Sequence, residues 1–474
     1  MKPNSIKSNL ETDAQSRSNI YSYLDSHKIK YEVIKHAKTF TLEQAATVCQ
    51  IPRSALLRTV VLEEEHGMIM AILPMDRLLD FSSLCKALNR DMVPAKHSVV
   101  SKLFTNCDPG SYPPLPDFFK VDAILDRSIM ALDIIYFEPG QHDTLIKMQR
   151  DDFVALQRST WQGEFSSPIS YLTEGEQSPD RIKQQVDQFT PQRFQARLQE
   201  NIDLPAIPVV ATEILQLRSD LNATASSLAD IVVKDPSLSA QLIKWAQSPF
   251  YGYSGKITSI ECAIIKVLGF DLVLNLSLGI ALNRAMKIPV DGPLGLKAYW
   301  KFSIYTAILS EALVKRMPVK KRPIVGLVYL SGLLHNFGNL LLAELFPPQY
   351  FILNRYIEVN PNICLIEIEK HVLGVTHTQI GAWLLETWGL PQEVLAAVKG
   401  HHEEDYVGQY AEYSNLIYVA TRLLKMHNLG DAQDYQLSAS VLESLGLSLE
   451  DAQLALYEIM EKESELEGIV NQLT

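Results

Sequence analysis

Cysteine is sparse in this sequence. Five are spread over 474 residues, at positions 49, 85, 107, 262 and 364, and no two have CxxC spacing. That spacing excludes a cysteine zinc knuckle or a redox pair. An odd, scattered set fits a reducing cytoplasm, where a free thiol behaves as a small hydrophobe. A basic excess is also missing. Residues 1–160 carry 19 basic against 20 acidic side chains, and 161–400 carry 21 against 21. Residues 401–474 carry 3 against 14, so nearly all of the formal charge of −12 belongs to the C-terminal stretch. A nucleic-acid surface normally shows a basic excess, so the balance weighs against tRNA or DNA as the main partner. Internal repeats and low-complexity tracts are absent.

The opening stretch "MKPNSIKSNLETDAQSRSN" has no apolar core of the kind a signal peptide needs and is expected to be a disordered tail, 1–19. The longest apolar run, "GLVYLSGLLHNFGNLLLAELF" at 326–346, has the length of a membrane span. It carries a His, two Asn and a Glu, which are costly in lipid. A buried helix is the expectation, with no membrane partner. With 47% apolar residues, a chain this long can bury a large core in two or three domains.

What is present divides by periodicity. Over 20–161, "KYEVIKH", "LLRTVVLEE", "GMIMAILP", "VDAILD", "ALDIIYFEPG" and "DDFVAL" read as strands. "TLEQAATVCQ" and "FSSLCKALN" have helical spacing, the first with Thr41 and Gln44 in a capping-box pattern. This predicts an α+β domain with a mixed sheet. Residues 162–192 are proline-containing and poor in apolar groups, which predicts a linker. From 193 to 430 the pattern is helical, giving an all-α bundle. Gly269 breaks one helical run, and Asp235–Pro236 starts a helix. Two acidic amphipathic helices are expected over 431–474, packing on that bundle.

The stretch "SGLLHNFGNLLL" raises the question of chemistry. A metal site in a helical domain needs His and Asp side chains converging from several helices. The candidates are His335, His371, His377, His401 and His402. Each also has an ordinary reading as a hydrogen-bonded helix histidine. Neighbours on a helix face about 100° apart, so His401 and His402 are not expected to meet one ion.

Residues 201–405 resemble the HDOD domain, a signalling relative of HD-type phosphohydrolases. The resemblance is carried by "LPAIPVVATEILQL", "DPSLSAQLIKWAQSPFYG", "ITSIECAIIKVLG", "SGLLHNFGNLLL" and "GVTHTQIGAWLLETWGLP…VKGHH". It implies that the metal ligands of active HD enzymes fall here at Phe302, at His335 and Asn336, and at Thr421. Phe302 has no lone pair, and Asn336 brings a neutral amide where a carboxylate would offset cationic charge. Such a set supplies too little to activate water on a divalent ion. The expectations are therefore no metal, no cofactor and a packed remnant. His335 would bond a backbone carbonyl or a neighbouring side chain. The other reading is a small-ligand pocket lined by His335, His377 and His401 or His402.

Residues 20–160 resemble the YbaK-type domain, also called the prolyl-tRNA-synthetase-associated domain. The resemblance rests on "YEVIKHAKTFTLEQAA", "LLRTVVL", "MAILPMDRLLDFSSLCKALN" and "DPGSYPPLPDF". It implies a pocket at a Lys-Thr pair, here Arg58–Thr59, and a loop at Gly110, Ser111, Tyr112, Pro113 and Pro114. Arginine is a planar fork and lysine a point charge, so the swap need not preserve an ester's alignment. Gly110 permits close backbone approach, and free N–H groups there would suit an oxyanion. An ordinary proline-rich turn, and a surface cation at Arg58, are the plainer readings.

Together these imply a cytoplasmic, non-catalytic regulatory protein. A signalling protein would be its partner, with a small molecule or nucleotide as a further ligand. An aminoacyl-tRNA deacylase with an appended helical domain is the alternative, and a residual metal phosphohydrolase the weaker one.

Overall fold

The computed structural model describes residues 20–39, 42–64, 67–90, 92–95, 97–157, 160–168, 206–283, 286, 289, 292–361, 363–432 and 436–473. The expected tail at 1–19, Thr41 and most of the expected linker lie outside the described residues. The chain divides into two compact units. One is Met1–Ser178 with Arg355–Ile363, and the other is Pro179–Asn354 with Cys364–Thr474.

The first unit is α+β. Its main sheet has five strands in the order β5 (Val93–Pro94), β2 (Leu57–Glu64), β3 (Gly67–Pro74), β6 (Asp122–Asp126) and β9 (Trp161–Gly163). The first two pairings are antiparallel, and β3–β6 and β6–β9 are parallel. A second sheet orders β1 (Tyr31–Lys35), β8 (Thr144–Gln149) and β7 (Ile134–Phe137). β4 (Arg77–Leu79) pairs with β10 (Ser166–Pro168). The central strands read as unbroken apolar runs because both faces of the main sheet are covered. Leu57, Val61, Met70, Ile72 and Leu125 pack into one cluster, and Val60, Leu62, Ile69, Ala71, Leu73 and Ile124 into another. Strand alternation puts Arg58 on the same side as Val60 and Leu62. Val359 packs in that second cluster.

One strand expectation is corrected. "DDFVAL" lies in an α-helix, Arg150–Ala155, and the strand is the preceding "TLIKMQ". Asp151 and Asp152 fall in the first helical turn, where carboxylates suit the exposed N–H groups. Four apolar residues behind two aspartates do not distinguish helix from strand by themselves. "FSSLCKALN" does form a helix, α1 (Phe81–Leu88), capped by the Asp80 side chain on Ser83 N.

The second unit is helical in all its described regular elements. Asp235 caps α2 (Pro236–Ala246) through Ser237 N and Leu238 N. Gly269, at φ 83°, precedes α3 (Phe270–Asn283). The elements that matter below are α4 (Leu296–Arg316), α5 (Val325–Leu334), α6 (Phe337–Leu345), α7 (Leu365–Leu373), α8 (His377–Thr387), α9 (Gln392–Gly400) and α10 (Ala411–Lys425). Val325–Leu345 is long and apolar enough to cross a membrane by length and composition, but 94% of its apolar window is buried inside the fold. It is two helices, broken at His335–Asn336.

The acidic C-terminal stretch forms three helices rather than the expected two: α11 (Ala439–Leu445), α12 (Leu449–Met460) and α13 (Glu463–Val470). Gly446, at φ 70°, ends the first, and Ser448 caps the second, which splits what reads as one amphipathic run. Glu458 and Glu467 pair with Arg316 and Lys301 of α4. Leu466, Ile469 and Val470 are buried.

Candidate functional site

In the first unit, Arg58 is buried rather than a surface cation. Its Nη1 donates to Val359 O at 3.1 Å. Its Nη2 donates to Arg77 O at 3.1 Å and to Asn360 Oδ1 at 2.6 Å. Asn360 is held in turn by Leu79, whose N–H donates to Oδ1 and whose carbonyl accepts from Nδ2. Burial lowers the Arg58 pKa to about 9, which leaves the guanidinium charged at neutral pH. No carboxylate offsets it among the described residues; three neutral oxygens do. Thr59 Oγ1 is buried without a partner.

The Gly110–Pro114 loop is tied down from its own side. Gly110 sits at φ 94°. Ser111 N is not free for an oxyanion, because it donates to Asp108 O at 3.0 Å. Ser111 Oγ is buried and unpartnered. Pro114 O accepts from Gln157 Nε2, and His142 Nε2 meets Pro109 O at 3.0 Å. Among the described residues, no hydrogen bond joins Arg58 to this loop.

The second unit gathers most of the sequence candidates at one point. His335 follows α5 directly and is fully buried, with Nδ1 donating to Gly332 O at 2.8 Å and Nε2 unpartnered. Burial pushes its pKa down to about 4, so it is neutral. Phe302 stacks edge-on against it at 4.8 Å. His377 is the first residue of α8, which Thr376 and Gln379 cap reciprocally. Its Nδ1 meets both oxygens of buried Glu369 at 2.9 Å, and its backbone N–H donates to the same carboxylate. Burial opposes its charged form, but Glu369 and Asp431 outweigh burial and raise its pKa. A close crossing of helices fixes the place of α8. A Cβ on Gly338 of α6 would lie 1.9 Å from His377 O.

His401 is the C-cap of α9 and His402 lies beyond the helix. The 100° argument therefore does not govern them, and their rings lie 4.4 Å apart. His401 Nδ1 donates to Val398 O, and its Nε2 faces His377 Nε2 at 3.4 Å. The fourth member is Asp431, which sequence reasoning missed. Its Oδ2 accepts from Asn336 Nδ2 at 2.7 Å and lies 3.7 Å from His402 Nε2 and 4.0 Å from His377 Nε2. Burial would raise its pKa, but His402, then His377 and His335, hold it well below the usual carboxylate range. Gly430 lets this aspartate in. Its φ is 87°, and a Cβ there would collide with the Phe302 ring. One atom from each of His377, His401, His402 and Asp431 lies within 4.8 Å of the others.

The four positions to which the sequence resemblance assigns the HD metal ligands do not supply a ligand set here. Phe302 offers no ligand atom. Thr421 Oγ1 is turned onto Tyr418 O within α10, and Asn336 donates Nδ2 to Asp431, which leaves a neutral amide oxygen in place of a carboxylate. His371, in the last turn of α7, is outside the cluster. The expectation that too few lone-pair groups converge in this half is nonetheless corrected: His377, His401 and His402, expected within the packed remnant, meet Asp431. Glu369 and Asp431 were invisible to motif reading because neither occupies a family ligand position. The signal available was a Gly-Asp pair, 430–431, in a polar turn after an apolar helix.

The model of the HDOD domain matches residues 204–404, and that of the aminoacyl-tRNA editing domain matches residues 36–156. A solved structure from Marinobacter aquaeolei VT8, described as a "Putative signal transduction protein", is 31% identical. The match covers 96% of this chain and 98% of that one, with a TM-score of 0.81. The chain carries an HDOD domain and belongs to one family with the Marinobacter protein. In this HDOD protein an editing-type domain precedes the helical one, in the order the sequence resemblance implies. A solved HDOD domain protein from Geobacter sulfurreducens is 24% identical, over 59% of this chain and 96% of that one, at a TM-score of 0.49. A Treponema pallidum (strain Nichols) relative described as an uncharacterized protein is 25% identical over 215 residues, 45% of this chain and 40% of its own length. The chain thus spans about two fifths of that relative.

Proposed function

We propose that this HDOD protein is a non-catalytic regulator of signal transduction. Its helical half serves as a docking or ligand-sensing module, and its editing-type half no longer deacylates tRNA. The observation that carries this reading is the state of Arg58. Where active editing domains present a lysine, this chain has a buried guanidinium. Its hydrogen bonds go to Val359 O, Arg77 O and Asn360 Oδ1. The Nε–H is left without an acceptor, but it is buried, so a substrate phosphate or carboxylate reaches this cation only if the packing over it opens. The likeness to the Marinobacter protein along nearly its whole length supports a signalling role.

The test is a deacylation assay of the full chain with several mischarged tRNAs. No turnover by the unmodified chain is expected, and none by Arg58→Ala. Turnover that disappears in Arg58→Ala would make the protein an editing enzyme and end the regulatory reading.

A further inference from the structure

Residues Arg355–Ile363 belong to the first unit, although the rest of that unit ends at Ser178. They begin as the last turn of the helix Pro347–Val359 and end in a turn where Ile363 N donates to Asn360 O. Val359 is the segment's member of the cluster on the Arg58 side of the main sheet. Asn360 is fully buried, and both ends of its carboxamide are used. Oδ1 accepts from Arg58 Nη2 at 2.6 Å and from Leu79 N at 2.8 Å. Nδ2 donates to Tyr356 O at 2.9 Å and to Leu79 O at 3.3 Å. Tyr356 in turn donates its hydroxyl to Asp80 Oδ1 at 3.2 Å. Arg58 thus grips two oxygens of one short segment, Nη1 on Val359 O and Nη2 on Asn360 Oδ1. A guanidinium fork takes the two oxygens of a carboxylate in the same manner. The segment supplies that shape without the charge. Its only negative character is the partial charge that a helix C-terminus lends to Val359 O. A buried cation is normally paired with an opposite charge, and Arg58 Nε, also buried, has no acceptor.

We propose that Val359–Asn360 is a displaceable plug over a carboxylate-binding site formed by Arg58 and the Leu79 N–H, and that a small carboxylate entering this site expels the segment Arg355–Ile363. The carboxylate takes the two places held by Val359 O and Asn360 Oδ1 and neutralises the guanidinium. The segment lets go as a unit. Tyr356 lies about one helical turn before Asn360, and its carbonyl holds Asn360 Nδ2, so the bonds to Leu79 and to Asp80 are lost together. Occupancy of the site is thereby converted into release of a piece of chain, which is what a sensor requires. This deepens the regulatory reading by giving the editing-type half a ligand class and a moving element. It is decided by binding, whereas that reading is decided by turnover, so the two fail separately.

The experiment titrates the full chain with acetate at constant ionic strength, with acetamide as the uncharged comparison. Acetate is expected to bind once per chain. At saturation, hydrogen exchange over residues 355–363 should rise while the Leu79 N–H stays protected. Asn360→Gly removes the carboxamide and, once checked for folding by circular dichroism, should bind acetate at least about tenfold more tightly, because less has to be displaced. Tyr356→Phe keeps Asn360 and removes only the bond to Asp80, so it loosens the plug mildly and should strengthen binding by a few fold. Arg58→Met should abolish binding in each of these chains. Three results would each overturn the proposal: no tighter acetate binding in either Asn360→Gly or Tyr356→Phe, acetamide binding as tight as acetate, or acetate binding that leaves exchange over 355–363 unchanged. In those cases Val359–Asn360 is a fixed part of the fold and Arg58 is its anchor.

Discussion

Arg58 in the first unit and Asn336 in the second are both buried and hydrogen-bonded within their own units, but their surroundings differ. At Arg58 the replacement side chain gives three hydrogen bonds to oxygens of its own unit and leaves Nε without an acceptor. At Asn336 the replacement satisfies one oxygen of Asp431, while His335 Nε2 and Asp431 Oδ1 have no hydrogen-bond partner. Buried polar atoms are rarely left without partners, and those that are call for an explanation. Both regions hold buried polar atoms without partners, Thr59 Oγ1 and Ser111 Oγ in the first, but the second also brings three imidazoles and a carboxylate to one point.

The largest effect that sharpens this contrast should come from Gly338→Ala. A methyl group driven against His377 O exceeds ordinary overpacking, and a loss of about 3 kcal/mol or more is expected in denaturant unfolding. A silent substitution would mean that α6 and α8 do not fix His377. Arg58→Ala comes next. It removes three hydrogen bonds and opens a cavity under the sheet, for a loss of about 3 kcal/mol. Near-neutral behaviour would say that Arg58 is held loosely and free to bind substrate.

Asn336→Ala should cost about 1–3 kcal/mol, because it strips the Asp431 carboxylate of its donor. Thermal unfolding unaffected by the change would detach Asn336 from the cluster. The smallest effect belongs to His142, which braces the Gly110 loop. Burial opposes its charged form, but Glu138, Pro109 O and Asp108 raise its pKa. A raised folded pKa means that its stabilisation is complete below the ordinary histidine value and is lost as pH rises through the folded one. His142→Ala should therefore cost about 1 kcal/mol at pH 5 and less at pH 9. A difference that grows with pH would contradict the sign.

Much of the fold was legible in the sequence because periodicity and punctuation acted locally. The apolar runs at 57–64 and 67–74 are paired strands, and Asp235–Pro236 and Gly269 mark helix boundaries as expected. The failures also have local causes. "DDFVAL" was too short to show a period, and the C-terminal helices were divided by a turn at Gly446. The site was legible only in part. His335, His377, His401 and His402 were candidates from motif order, but the partners that complete them lie elsewhere in the chain.

By itself, the sequence determined the two domain types and their order, since these are properties of residue identity and order. Only the tertiary structure decided where Arg58 points and that Asp431 joins three histidines. Contacts between Arg58 and residues some 300 positions away, or between Asn336 and Asp431, depend on packing of distant elements, and no pattern of neighbours along the chain encodes them. Helix ends matter for the same reason: once α9 stops at Gly400, adjacent histidines are free to face one point.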